Sequence, residues 1–214
     1  MQACPVQPQW KRAFPDRLVA AIRLDATVFD EVEHDEEAIG QAAAVIVLAS
    51  IAQGLGAIQA PSIPVLLGGL IGVTVAGILG WVVGSALIWL IGVKLMGCTA
   101  DYGEVLRTMG FASAPKILLL IGVLPLGAAA YLLGFLVLVL TTVASVLAVR
   151  QALDVTTGRA IVVCIVAMVA SFLIAATLGA LIGISLGVGG AGGGGLPGPE
   201  AVLPTLAFLG TPAS

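Results

Sequence analysis

The chain has 214 residues, 59% of them hydrophobic and only 10% charged, with 28 glycines and a mean hydropathy of +1.14. Soluble domains carry about a quarter charged residues, so this composition cannot cover a water-facing surface and describes a polytopic membrane protein in contact with a lipid bilayer. Nine Lys+Arg against twelve Asp+Glu leave no basic patch for nucleic acid, and three scattered cysteines with one histidine build neither a disulfide framework nor a metal or haem site, so no cofactor is expected.

Residues 1–37 hold four of the nine basic residues and eight of the twelve acids, and they lack the apolar core of a cleavable signal. Leu18, Ile22, Phe29 and Val32 recur at helical spacing among Arg17, Arg23, Asp25 and Asp30. That pattern predicts an amphipathic segment lying against the membrane surface. Thr27–Asp30 has the Thr-x-x-Asp form of a helix N-cap, and Glu31, Glu33, Asp35, Glu36 and Glu37 are expected in the first turns of the helix entering the membrane, facing its positive dipole end. Asp30, His34 and Glu37 share one helical face, but a lone histidine with weakly spaced carboxylates reads as solvated acidic surface, and no metal site is expected.

No charge occurs from Ala38 to Val93, and Gln59–Pro64 breaks this run into spans at about 38–58 and 65–93. The run Ile117–Val149 is too long for one helix and tight for two. It accommodates spans at about 111–129 and 131–149 if Lys116 snorkels to the surface, with a turn near Pro125 or Tyr131. A last span covers about 160–188. Five spans place all nine basic residues on one side, whereas four would place Arg150 and Arg159 on the other. The positive-inside rule therefore predicts a cytoplasmic N-terminus and an outside C-terminus. The fold class is all-α, a five-helix transmembrane bundle over 38–188, preceded by the cytoplasmic segment 1–37 and followed by a Gly/Pro-rich, non-cytoplasmic tail over 189–214.

Placed this way, no span carries an ionisable group in its middle, which argues against a proton-coupled carrier. Span two carries Gly68, Gly72, Ala76, Gly80 and Gly84 on one face, and span five carries Ser171, Ala175, Gly179, Gly183 and Gly187. Small residues at i, i+4 let helix backbones approach closely, so both faces are assigned to helix packing, internal or between subunits. Cys4, Cys98 and Cys164 read as reduced thiols. In the polar loop Lys94–Lys116, Thr99 or Asp101 caps a short helix with Val105, Leu106 and Met109 on its apolar side. Asp101, Tyr102, Gly103, Glu104 and Arg107 there form a candidate binding surface for a cytoplasmic partner. No Ser–His–Asp set, carboxylate pair or phosphate loop appears in the sequence, so no enzyme is expected.

The order of parts resembles the prokaryotic branch of the Yip family, named for Ypt/Rab-interacting proteins. The resemblance is carried by Phe29–Asp35 leading into span one, Gly97-x-x-x-Asp101-Tyr102-Gly103-Glu104-Val105-Leu106-Arg107 after the glycine-rich span two, Gly110–Pro115, Pro125, and Ala152-Leu153 with Thr156–Ala160 before span five. It covers about residues 15–188 and implies five spans, a cytoplasmic N-terminus and no catalytic residues. Eukaryotic members bind Rab-type GTPases; the N-terminal segment here lacks their Asp-Leu-Tyr-Gly-Pro signature, so that partner is not carried over. The function expected is that of a scaffold or adaptor in a prokaryotic inner membrane, with a protein partner or self-association. A small oligomeric transporter or channel and an accessory subunit of a larger complex are the alternatives.

Overall fold

The computed structural model describes residues 11–57, 62–124 and 126–185, and every regular element among them is helical. The chain divides after Ser171; the bundle below is built from residues up to that point, and the rest of the last helix belongs to a second unit. The tail at 189–214, together with Gly187 and Pro125, lies outside the described residues.

Two short helices come first, α1 (Phe14–Ile22) and α2 (Ala26–His34). Pro15 suits the opening turn of α1, where its missing N–H costs nothing. The chain reverses at Leu24, in the left-handed region at φ 61°. The N-cap of α2 is Asp25, not Thr27: its carboxylate accepts the Thr27 N–H at 3.0 Å and the Thr27 hydroxyl at 2.7 Å. Because the helix is capped two residues early, it ends at His34 and is separated from the first long helix, α3 (Ala38–Ala57). Glu31 and Glu33 therefore belong to α2 and Asp35 to its C-cap, and Glu36 and Glu37 fall in the turn before Ala38, so none of the five lies within α3.

The apolar side of this segment meets protein, where a membrane surface was expected. Val28, Phe29 and Val32 are fully buried and pack with Ala42 and Val45 of α3 and with residues of two later helices, α5 (Tyr102–Ala112) and α6 (Ala129–Ala152). Burying three such side chains is worth on the order of 5 kcal/mol, enough to fix α2 as a cap on one end of the bundle.

Helix α4 (Ile63–Leu90) passes into a π-helical turn, Ile91–Leu95, and is ended by Gly97 at φ 69°. Asp101 then caps α5 with a complete capping box: its carboxylate accepts the Gly103 N–H, and Glu104 accepts the Asp101 N–H at 2.8 Å. Pro115 cannot donate to an α-helical ladder, and after Ser113 the chain continues as a 3₁₀ helix, Ala114–Val123. At 1.5 and 2.0 Å per residue, Tyr102–Val123 extends about 36 Å, sufficient for a hydrocarbon core of about 30 Å. The third apolar stretch thus begins at Tyr102 and not near Phe111, and the turn before α6 falls at 124–128, on the Pro125 side.

This earlier start moves Lys116 inward. It lies about 14 Å from the Val123 end at 2.0 Å per residue, so it is not a snorkelling residue at the helix mouth, and the third stretch does carry an ionisable group near its middle. Helix α7 (Thr157–Ser185) follows a turn with Asp154 at φ 49°. Its first half packs Ala160, Val163 and Ala167 against Ile88, Ile91, Val105 and Val149. Among the described residues, five helical stretches are long and apolar enough to cross a membrane.

Among the described residues of the chain, the close backbone approaches fall at glycines other than the ladder's. A Cβ on Gly110 would stand 2.6 Å from Ala42 Cβ and 3.1 Å from its Cα; Gly77 faces Ser50 and Gly56 faces the Leu119 carbonyl. Gly68, Gly72, Gly80 and Gly84 meet nothing within 4 Å. Gly179 and Gly183 lie along α7. A Gly110→Val variant should therefore lower stability by about 2–3 kcal/mol, because Ala42 is backbone-anchored and cannot yield, whereas Gly72→Val should change it by less than about 0.5 kcal/mol. Thermal unfolding of the two variants in one mild detergent makes the comparison.

Candidate functional site

The charged end of the bundle is organised around Arg17, which is fully buried. Its Nε donates to Glu31 Oε1 at 2.9 Å, its Nη2 lies 2.8 Å from both Glu31 Oε1 and Asp35 Oδ2, and its Nη1 donates to Gln41 Oε1 at 2.9 Å. The guanidinium fork thereby links α1, α2, the turn after α2 and α3. Lys11 reaches Asp35 and Glu37 at 2.9 Å, and Arg12 reaches Asp25 and Glu31 at 3.2 and 3.6 Å.

Arg107 performs the matching task from α5. It is 8% exposed, and its guanidinium donates to the carbonyls of Val32 and Glu33, the last turn of α2. Those carbonyls have no partner within their own helix, so a cation there satisfies both the hydrogen bonds and the dipole. The remaining residues of the expected partner loop are mostly engaged too. Asp101 and Glu104 form the cap, and a Cβ on Gly103 would stand 2.9 Å from Asp101 Oδ2 and 3.1 Å from Arg107 Nη1. The Tyr102 hydroxyl donates to the Val82 carbonyl at 3.0 Å and its ring meets Trp89 edge-on at 6.3 Å. Trp81 and Trp89 donate from their indoles to Leu106 and Ala100 carbonyls, at 2.8 and 3.0 Å. Sequence spacing singled out the polar loop, but not that Arg107 turns inward; no periodicity distinguishes a helix-capping arginine from a solvated one.

What this end presents outward is charged in both senses, with Lys11, Arg23, Lys94 and Arg159 exposed among the acids. Asp30, Glu36, Glu37, Asp101 and Asp154 are exposed and Glu104 is half-buried. Burial pushes the Glu33 carboxyl up to about 7; His34 opposes the shift, while Asp154, Glu104 and Asp30 add to it. His34 is raised by its bond to the Asp30 carbonyl at 2.9 Å. Burial alone would raise Asp35, but hydrogen bonds from Lys11 and Arg17 hold it below the usual carboxylate range. Asp25 is lowered by its bonds from Thr27. The fold sends Glu37 to Lys11 and groups Glu33 with Asp30 and His34, their ligand atoms within 4.8 Å of one another. Asp30 and His34 are exposed and Glu33 is buried, and the His34 ring is already bonded to its own helix.

A second feature lies below the cap. Helices α3, α4 and α6 and the α5–3₁₀ junction line a half-open cavity of about 530 Å³. Ala76, Gly80 and Gly84 of the ladder form part of its wall, with Ser85, Lys116 and Thr141 among its polar residues. Cys98 and Cys164 are free, and the Cys164 thiol points to the Ser145 carbonyl at 3.9 Å.

Five apolar helical stretches sealed at one end by a charged two-helix cap define an all-α integral membrane protein. The Yip1 domain family matches residues 25–195, and the chain belongs to that family. No curated protein and no solved structure matches it.

Replacing Arg17 by Met removes the buried partner of Glu31 and Asp35, leaving them only the half-exposed Arg12 and Lys11, and should cost about 3 kcal/mol, against less than about 0.5 kcal/mol for the exposed Arg23→Met, both read from unfolding midpoints. Glu33 sets a pH dependence. The folded protein keeps its proton up to about 7, the unfolded chain only to its ordinary 4.5. That contribution to stability is complete below pH 4.5 and is lost as pH rises through about 7. Glu33→Gln should therefore unfold at a higher temperature than the parent at pH 8 and show a flatter profile between these values. The depressed Asp25 and Asp35 act oppositely, their contribution disappearing as pH falls through their lowered values.

Proposed function

We propose that this Yip1-family protein is a non-enzymatic scaffold or adaptor of a prokaryotic inner membrane, with the cap facing the cytoplasm. The observation that carries the reading is the pair of buried arginines. Arg17 and Arg107 tie the N-terminal helices to the 101–107 segment, so both segments present one rigid surface to a protein partner, with an acidic patch at Asp30, Glu104 and Asp154 and exposed bases at Lys11, Arg23, Lys94 and Arg159 on the same end. Non-enzymatic character agrees with the family, whose members are membrane proteins without catalytic activity. Segment 1–37 is then the cytoplasmic part, 38–188 the membrane domain and 189–214 the outside tail. Apart from Lys116, the basic residues stand on the same side of the five helices as the N-terminus, as the positive-inside rule requires of a cytoplasmic face.

Two measurements test this. With Cys4 and Cys164 replaced by Ser, a membrane-impermeant thiol reagent should label Cys98 from the cytoplasmic side and a Ser62→Cys variant from the opposite side. Labelling of both from one side overturns the five-helix orientation. The tagged full chain, purified in mild detergent, should retain a stoichiometric protein partner that Asp30→Lys/Glu36→Lys releases without changing the unfolding midpoint, both side chains being exposed. Solute flux through the purified protein in liposomes, with no such partner, would replace the adaptor by the small transporter or channel.

A further inference from the structure

We propose that the cavity beneath the cap is a binding site for an acidic amphiphile: an oxyanion head group, phosphate or carboxylate, held at Lys116, with an apolar body lying along the α4 glycine ladder. Three observations converge. The cavity lies at the middle of its helices, lined from Ile46 to Gln53 on α3, from Val73 to Ser85 on α4 and at Thr141 and Ser145 on α6. Its volume of about 530 Å³ is that of a small-molecule site, far above that of a packing defect.

Of the polar groups in its wall, Ser113 and Ser145 bond to carbonyls of their own helices, but two hydroxyls are not satisfied from within the chain. The Ser85 hydroxyl is buried, its residue 1% exposed, and has no hydrogen-bond partner among the described residues; the same holds for the buried Thr141 hydroxyl. Lys116 makes no ion pair among the described residues. At this depth hydrocarbon offers no acceptor, so an ammonium and two hydroxyls facing one space call for a ligand that brings negative oxygen. Intramembrane charges of this kind mark sites of function. The third observation is the shape of the opposite wall. Ala76, Gly80 and Gly84 carry little or no side chain, and with Ile46, Val73 and Trp81 they leave an apolar surface beside the polar one. One cation, two hydroxyls and an apolar trough match an anionic head with a hydrocarbon body, and give a zwitterionic head group an unmatched positive charge.

The test uses the purified full chain in a neutral maltoside detergent, titrated with dioctanoyl phosphatidic acid, dioctanoyl phosphatidylcholine or inorganic phosphate, with the unfolding midpoint as readout. A ligand that binds the folded state raises that midpoint with concentration. Phosphatidic acid should raise it saturably and phosphatidylcholine should not. Lys116→Met should weaken the phosphatidic acid response by about tenfold or more, and Ser85→Ala by several-fold, as for loss of a charged and of a neutral hydrogen bond. Lys116→Arg retains the response, which separates loss of charge from damage to the fold. A response to inorganic phosphate as well, lost in Lys116→Met, assigns the site to soluble oxyanions too; a response confined to the lipid assigns it to membrane amphiphiles. Equal responses to the two lipids, or an unchanged phosphatidic acid response in Lys116→Met, overturn the proposal.

Discussion

The N-cap at Asp101 decides where the third membrane helix begins, and most of the structure depends on it. Asp101 and Glu104 satisfy the first free amides of α5 reciprocally, so the helix starts at Tyr102 and runs without interruption to Ala112. From that start Arg107 comes to lie over the last turn of α2, and Gly110 comes against Ala42. Lys116 then falls one element deeper than a helix beginning at Phe111 would leave it. The 3₁₀ continuation to Val123 lengthens the stretch by about 0.5 Å per residue over an α-helical Ala114–Val123. The tight spacing of the 117–149 run is relieved by the same shift: one of its two helices takes much of its length from residues before it.

Two buried arginines then convert a loose N-terminal segment into a fixed layer. Burying a guanidinium is costly unless it is paired, and here the pairing differs: Arg17 Nε and Nη1 donate hydrogen bonds while its Nη2 makes ion-pair contacts without a well-formed hydrogen bond. Arg17 uses carboxylates and an amide side chain, so its removal leaves buried negative charge. Arg107 uses helix-terminal carbonyls that lack partners wherever a helix ends inside a protein, so it supplies what α2 needs in any case. The first fixes α1 and α2 to α3; the second fixes α2 to α5. Neither contact alone would orient α2, whose buried apolar face is only three residues wide.

Five helices, their approximate limits and the all-α class were legible in the sequence because hydropathy reports the choice between lipid and water, and at this composition that choice is nearly binary. What hydropathy does not report is which neighbour an apolar face meets. Phe29 and Val32 have the same pattern whether they lie on lipid or on Phe111 and Ala112, so the N-terminal segment reads as a membrane-surface helix. The acids 31–37 likewise read as dipole partners of the following helix, because the break at Asp35 depends on a cap at Asp25 that competes with an equally good signal at Thr27. Asp101 was visible as a cap. Its consequences for Arg107 and Lys116 were not, since they depend on how far the helix continues beyond Pro115.

The glycine ladder of α4 shows the same limit from the side of function. Small residues at every fourth position permit a close approach, but they do not create one; the approach is made one residue away at Gly77, against Ser50. Once Gly77 sets the α3–α4 distance, the neighbouring ladder faces a space that side chains of α4 do not fill. Lys116, Ser85 and Thr141 then have somewhere to direct their polar atoms other than lipid, which is what makes a lysine at this depth compatible with a stable bundle. A close contact at one register and a cavity at the next are thus two results of one helix pair. The cavity follows from where the glycines are not needed for packing.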